Sequence, residues 1–263
     1  MQRRSFLAFG GSCLVCGCAG AVHRLPEVSD GNIAKARAEV RMATPAQRRW
    51  VSDDEVVRTL RTAIQLIRPP ATALCHEMEV GVCDWRFRLS RDREMNASAS
   101  GHGLIVLNSG IVEYAANDEE VCMVVAHEIG HHAANHVARG TRNQMIGALI
   151  GVAVMGIAGA VAGSSPGSDA TRSAAEIGAR IGHLSFSKEQ EREADYMAAL
   201  ILYRAGVDLD KARGLLVTTA ANSGRVATTF LDSHPAGPER VAAWDRAVAE
   251  IRASNGRLPQ RAS

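Results

Sequence analysis

A mainly helical α+β domain with a small antiparallel sheet is the fold class this sequence predicts, on three observations. Helical-period apolar residues recur behind polar capping residues in several stretches between residues 52 and 251. Strand-like alternation is confined to a short region, residues 83–107. The 263 residues are 46% hydrophobic and 22% charged, the balance of a folded globular chain with a sizeable core. That length suits one domain of ordinary size or two small ones.

The formal charge is +2, and both excess positives, Arg3 and Arg4, lie in residues 1–17, which contain no acid. Without them the chain carries 28 Lys+Arg against 28 Asp+Glu. A neutral chain with 4% aromatics has neither the basic footprint nor the stacking platforms of a nucleic-acid binder, so that partner class is excluded.

Residues 1–18 read as an export signal. Arg3 and Arg4 form a basic start, and the uncharged run Ser5–Gly17 is too short for a helix that spans a bilayer, which needs roughly 20 residues. Arg3-Arg4-Ser5-Phe6-Leu7 resembles a twin-arginine signal, and Val15-Cys16-Gly17-Cys18 resembles a bacterial lipobox with Cys18 as the acylated residue. The alternative is plain cleavage near Ala19–Ala21. Lipid on Cys18 would hold the domain at a membrane surface, and Ala19 after it suggests the outer membrane. The expected compartment is therefore the periplasm. Cys75, Cys83 and Cys122 remain beyond the leader. Cys75 and Cys83 can close a short loop containing Gly81 or stay as thiols, whereas Cys122, among Val121, Val124 and Val125, reads as a buried free thiol.

Residues 19–49 read as an N-terminal linker or helix. Ser52-Asp53-Asp54-Glu55 is a capping box, and Val56, Val57, Leu60, Ile64 and Ile67 follow at helical spacing until Pro69-Pro70 is expected to end the helix. Cys83–Ser90 alternates apolar and polar residues like a half-buried strand, and Leu104–Leu107, between Gly103 and Gly110, reads as a second strand. Asn117-Asp118-Glu119-Glu120 opens a helical stretch to about Arg139. Met145–Gly163 is 19 residues without a charge, with two GxxxG spacings. Ala170–His183, Glu189–Tyr203, a stretch after Gly206 and Pro238–Ile251 read as further helices, and residues 253–263 as a loose polar tail.

His127-Glu128-Ile129-Gly130-His131 matches HExxH. On a helix, residues four apart share a face, so His127 and His131 can present both imidazoles to one metal ion. Glu128 stands beside them, placed to take a proton from a metal-bound water. Three fixed residues in five also arise by chance, so a third ligand decides the matter. The metzincin continuation fails at Ala134 and Val137, and a thermolysin-type Glu fails at Gly151. No acid occurs from Ala133 to Ser168; Asp169, Glu176 and then Ser187-Lys188-Glu189-Gln190-Glu191-Arg192-Glu193-Ala194-Asp195 follow.

HEIGH together with SKEQEREAD resembles the HtpX-like and CAAX prenyl endopeptidase family of zinc metallopeptidases, over roughly residues 50–252. The resemblance implies a zincin-type domain, one Zn²⁺ per chain and Glu191 as third ligand. It also implies that Asp195 orients a ligand histidine from behind. Lys188 stands where the family usually has Arg. Asn96-Ala97-Ser98-Ala99 resembles the family's cleft-edging strand that binds substrate backbone. Ser233-His234-Pro235 with Arg240 resembles its C-terminal motif, in which the His stabilises the oxyanion and the Arg braces the site. The leader suggests the family's small periplasmic lipoproteins, the LoiP type.

What the resemblance implies is an endopeptidase acting on unfolded or misassembled envelope proteins, with Glu128 as general base. The rivals are a lipid-anchored chaperone or assembly factor with a silent or latent zinc site, one plugged by His234 or a loop, and mere metal storage. His132 and His136 read as packing or surface residues, His102 as a loop residue, and His23, His76 and His183 have no role. Glu189 and Glu193 read as acids flanking Glu191. A single membrane crossing by Met145–Gly163 would put His131 and Glu191 on opposite sides, so that segment is either a buried helical hairpin or a membrane-dipping element.

Overall fold

The computed structural model describes residues 20–79, 81–143, 186–222, 234 and 237–262, together with Met145 and Leu149. The leader with Cys18, most of Met145–Gly163, Ala170–His183, and Ser233 and Pro235 lie outside the described residues. No described helix is long and apolar enough to cross a membrane.

Helix α1 (Asp30–Met42) opens on a capping box in which Ser29 Oγ accepts from Asn32 N–H while the Asn32 side chain accepts from Ser29 N–H. Helix α2 (Asp53–Met78) has the expected Ser52 cap on Glu55 N–H. It does not stop at Pro69-Pro70 but runs eight residues further. The two prolines leave the carbonyls of Gln65 and Leu66 without helical donors. Both residues are exposed, so water can take those bonds. Beyond the prolines Ala71, Leu74, Cys75 and Met78 are buried, and this packing carries the helix on.

The sheet has three strands, β1 (Arg86–Ser90), β2 (Ala97–Ser100) and β3 (Leu104–Asn108), in the order β1-β3-β2. It is mixed, not antiparallel as expected. β2 pairs antiparallel with β3, with Ala99 opposite Ile105, but β1 pairs parallel with β3, with Phe87 opposite Ile105. Residues 91–96 between β1 and β2 carry the chain past β3 before it turns back at Gly103 (φ 71°), so β3 enters between the two earlier strands.

A short helix α3 (Gly110–Tyr114) leads into α4 (Asp118–Ala133), capped by Asn117 accepting from Glu120 N–H at 2.9 Å. α4 ends sooner than the expected stretch to Arg139. Asn135 adopts φ 60°, a left-handed conformation that Asn tolerates, and residues 136–143 then resume as helix in a new direction. Helix α5 (Lys188–Arg204) opens on a capping box between Ser187 and Gln190. Helices α6 (Leu209–Ala212), α7 (Gly214–Asn222) and α8 (Pro238–Ala253, with Pro at N1) complete the described elements.

The centre of the core is α4 against α5, both buried along nearly their whole length, with α2 and α8 packed outside them. Cys75 and Cys83 are disulfide-bonded (Cα–Cα 5.6 Å), and Cys122 is a buried free thiol. Residues after α8 are not a loose tail. Gly256 (φ 72°) turns the chain, with its N–H on Ile251 O, and Arg261 then forms a bridge with His23. Arg24 N–H donates to Gln260 O and Ala262 N–H to Val22 O, both at 2.8 Å, so the two ends of the described chain satisfy each other's backbone groups.

Candidate metal centre

α4 and α5 cross closely because Gly130 has no side chain: a Cβ there would lie 2.8 Å from Ala194 O on α5. The approach brings His127 and His131 of α4 face to face with Glu191 and Asp195 of α5. All four are at most 1% exposed.

His127 Nε2 lies 3.1 Å from His131 Nε2 and 3.4 Å from Glu191 Oε2, and His131 Nε2 lies 3.3 Å from Glu191 Oε1. His234 joins them, its Nδ1 3.2 Å from His127 Nε2 and 3.0 Å from Glu191 Oε1. One donor atom from each of these four residues falls within 4.8 Å of every other. Tetrahedral zinc with bonds of about 2.1 Å would put its ligand atoms about 3.4 Å apart. The separations of 3.0–3.4 Å named above are close to that value, and imidazole nitrogens with a carboxylate are a donor set that zinc takes.

Asp195 Oδ1 sits 2.9 Å from His127 Nδ1, which fixes that ring with its proton on Nδ1 and Nε2 free to ligate. Asp195 is itself gripped by both Arg240 Nε (2.8 Å) and Nη2 (2.7 Å), and Arg240 Nη1 reaches Glu191 Oε2 at 3.0 Å. A bidentate guanidinium thus holds the carboxylate behind His127. Phe186 stacks on His131 with ring centroids 3.8 Å apart.

Electrostatics differ across the cluster. Burial opposes charge on His127, but Asp195 and Glu191 outweigh it and raise its pKa to about 9. Burial dominates at His131 and holds it well below its ordinary value, with His127 and His136 adding to that effect. Burial likewise would raise Glu191, yet His234 and Arg240 keep it well below the usual carboxylate range. Glu128 goes the other way: burial raises it, aided by Glu191 and opposed by His234 and His127. A carboxyl raised in this way is a stronger proton acceptor than an exposed one.

Glu128 Oε1 lies 3.5 Å from His234 Nε2, and its carboxylate faces the backbone N–H of Ala99 on β2. The expected substrate strand is thus beside the expected base. Asn96 directly precedes β2, with its carbonyl accepting from Asn108 N–H. Ala97–Ser100 is a sheet edge, paired with β3 on one side. His234 stands at the fourth corner of the donor cluster, the position that a catalytic zinc site leaves to water.

Among the remaining histidines, His76 and His102 are exposed, and His132 is 3.4 Å from Leu104 O, against the sheet. His136 and His23 are not bystanders. His136 Nδ1 meets His131 Nδ1 at 3.0 Å, its Nε2 meets Glu193 Oε2 at 2.9 Å, and His23 Nδ1 meets Glu193 Oε1 at 2.8 Å. Glu193, read as a flanking acid, is fully buried. Spacing alone carried no signal for these residues, because His136 faces back only through the left-handed turn at Asn135.

No curated protein matches the chain. The family model of Peptidase family M48 matches residues 67–248, which contain all four donor residues together with Glu128, Asp195 and Arg240. M48 peptidases are metalloproteases, and that match covers more than half of the sequence. On these grounds the chain belongs to peptidase family M48.

Proposed function

We propose that the chain is a zinc-dependent endopeptidase of the HtpX-like, LoiP type. It is held at the periplasmic face of the outer membrane by lipid on Cys18 and cleaves unfolded or misassembled envelope proteins. The observation that carries the site reading is the set of donor separations among His127, His131, Glu191 and His234, which suits tetrahedral zinc. The compartment and substrate class rest on the leader and on the family resemblance.

His127, His131 and Glu191 would hold the metal, with Asp195 and Arg240 fixing His127 and Glu191. When bound, zinc supplies Lewis-acid chemistry, polarising the scissile carbonyl and acidifying the attacking water. Glu128 takes the proton from that water and returns it to the leaving amine. The edge of β2 that no other described strand pairs with gives an extended substrate backbone a strand to pair with, directly beside Glu128. Glu128→Gln is expected to lower cleavage about 10³-fold while zinc stays bound, as read by a peptide-release assay and metal analysis. Loss of zinc in that variant would remove Glu128 as the base.

A second reading is favoured by the position of His234. With Nδ1 among the ligand atoms, it stands in the corner that substrate and water need, an arrangement that would suit a closed, latent form. His234 would then act on the oxyanion only after leaving that corner. A chain that stayed closed would serve as a lipid-anchored chaperone or assembly factor.

A further inference from the structure

His127 and His131 ligate in the same way but are supported differently. Behind His127 stands a carboxylate, Asp195. Behind His131 stands another histidine, and the carboxylate is one residue further back. If His131 Nε2, which points into the donor cluster, is a ligand, its proton sits on Nδ1. Nδ1 faces His136 Nδ1 at 3.0 Å, and two ring nitrogens share a hydrogen bond only when one of them is bare. His136 Nδ1 therefore accepts, and its own proton is on Nε2, which donates to Glu193 Oε2 at 2.9 Å. One hydrogen order satisfies the whole chain from Glu193 to the donor cluster.

Glu193 is fixed in turn by the chain's N-terminal segment. The backbone N–H of Val22 reaches its two oxygens at 2.9 and 2.8 Å, and His23 adds its backbone N–H and ring Nδ1, both at 2.8 Å. Arg139 Nη2 is 3.9 Å from Oε2. His131, His136 and Glu193 are all fully buried, so their bonds do not compete with bulk water.

We propose that His136 and Glu193 are positioning residues for the ligand His131, and that Val22 and His23 complete this outer shell by holding Glu193 in place. The inference rests on the reading of His131 as a zinc ligand. It makes the segment just beyond Cys18 part of the metal centre's support.

The test is the zinc affinity of the full chain, measured by competition with a chromophoric chelator, with the d–d spectrum of the Co²⁺-loaded chain as a second readout. His136→Phe fills the ring's place but accepts nothing, and is expected to weaken zinc binding by about 10–100-fold and shift the Co²⁺ bands. His136→Gln can accept from His131 and donate to Glu193, and is expected to recover most of that loss. Unchanged affinity in His136→Phe, or equal losses in both variants, would overturn the positioning role; equal losses would mark His136 as packing only. Should His136→Phe fail to fold, Glu193→Gln keeps the shape, removes the charge and is expected to bind zinc about tenfold more weakly. Affinity equal to the parent's would overturn the proposal there. His23→Ala is expected to weaken zinc binding several-fold, and parent-like affinity would remove the N-terminal segment from it. A parent chain that binds no zinc would overturn the site reading itself, a result distinct from a zinc-binding parent with unaffected variants.

Discussion

His234 is the residue whose placement most affects what the site can do. With Nδ1 3.0 Å from Glu191 Oε1 it sits as a fourth donor, and with Nε2 3.5 Å from Glu128 it also faces the base. If it closes the site, His234→Ala should raise basal cleavage of an unfolded protein; if it serves mainly the oxyanion, the same variant should lower cleavage by about 10²–10³-fold. Initial rates of the two forms decide between these. Cys122 makes a second residue-level prediction. Burial, with Asp118 and Glu119 nearby, pushes its thiol up to about 12. An acid whose folded pKa is raised stabilises the fold below its unfolded value, and that contribution is lost as pH rises through the folded one. The chain should therefore lose stability between about pH 9 and 12, and Cys122→Ala should flatten that slope in urea melts taken across the range. At residue scale the sequence was legible wherever a motif fixed both identity and spacing, as at His127, Glu128, His131, Glu191 and Asp195. It was not legible at His136 and Glu193, whose roles depend on a single left-handed residue and on which side of α5 meets the N-terminal segment.

At the scale of elements, the site exists because α4 and α5 approach across Gly130. Ala at this position would gain about 1 kcal/mol in helix propensity. Its Cβ, however, would press on the Ala194 carbonyl and meet Met197 Cβ at 3.4 Å, an overpacking that costs about 1–3 kcal/mol. Overpacking wins because the neighbour is backbone and cannot rotate away. Gly130→Ala should lower stability by about 1 kcal/mol in urea denaturation and weaken zinc binding, since it separates the helix of His127 and His131 from that of Glu191. Unchanged values of both would show that the helices can part freely. Helix positions were readable from their caps at Ser52 and Asn117, which start helices where the sequence placed them, while the helix read from Glu189 begins one residue earlier behind Ser187. The end of α2 and the direction of β1 were not readable. Pro69-Pro70 is a stop signal locally, but buried residues beyond it outweigh the lost bonds. The direction of β1 depends on how residues 91–103 lead the chain round, which alternation does not encode.

For the molecule as a whole, covalent, side-chain and backbone ties surround the helices that carry the donor cluster. The Cys75–Cys83 disulfide fastens the end of α2 to the segment before β1, and between them Gly81 packs directly on the carbonyls of His132 and Ala133 at the end of α4. Arg213 joins α1 to α8 through Glu39 and Asp245. Opening a nine-residue loop of this kind should cost about 2.5 kcal/mol, seen as a lower urea midpoint under reducing conditions with no such change in a Cys75→Ser, Cys83→Ser chain. Equal midpoints with and without reductant would show that the bond adds nothing to stability. The pairing of residues 22–24 with 260–262 was invisible in a polar tail, because it is made by backbone groups and not by a side-chain pattern.

The proposed reaction has Glu128 move the proton at a zinc site built from His127, His131 and Glu191. It is tested most directly by zinc content and cleavage of an unfolded protein, measured on the parent and on His234→Ala, each with Glu128 and with Gln at that position. One zinc per chain is expected in the parent and in its Glu128→Gln variant, with cleavage by at least one form that retains Glu128 and a loss of about 10³-fold in each Gln counterpart. Cleavage that persists in the Gln forms, no cleavage in any of the four, or no zinc in the parent would contradict it.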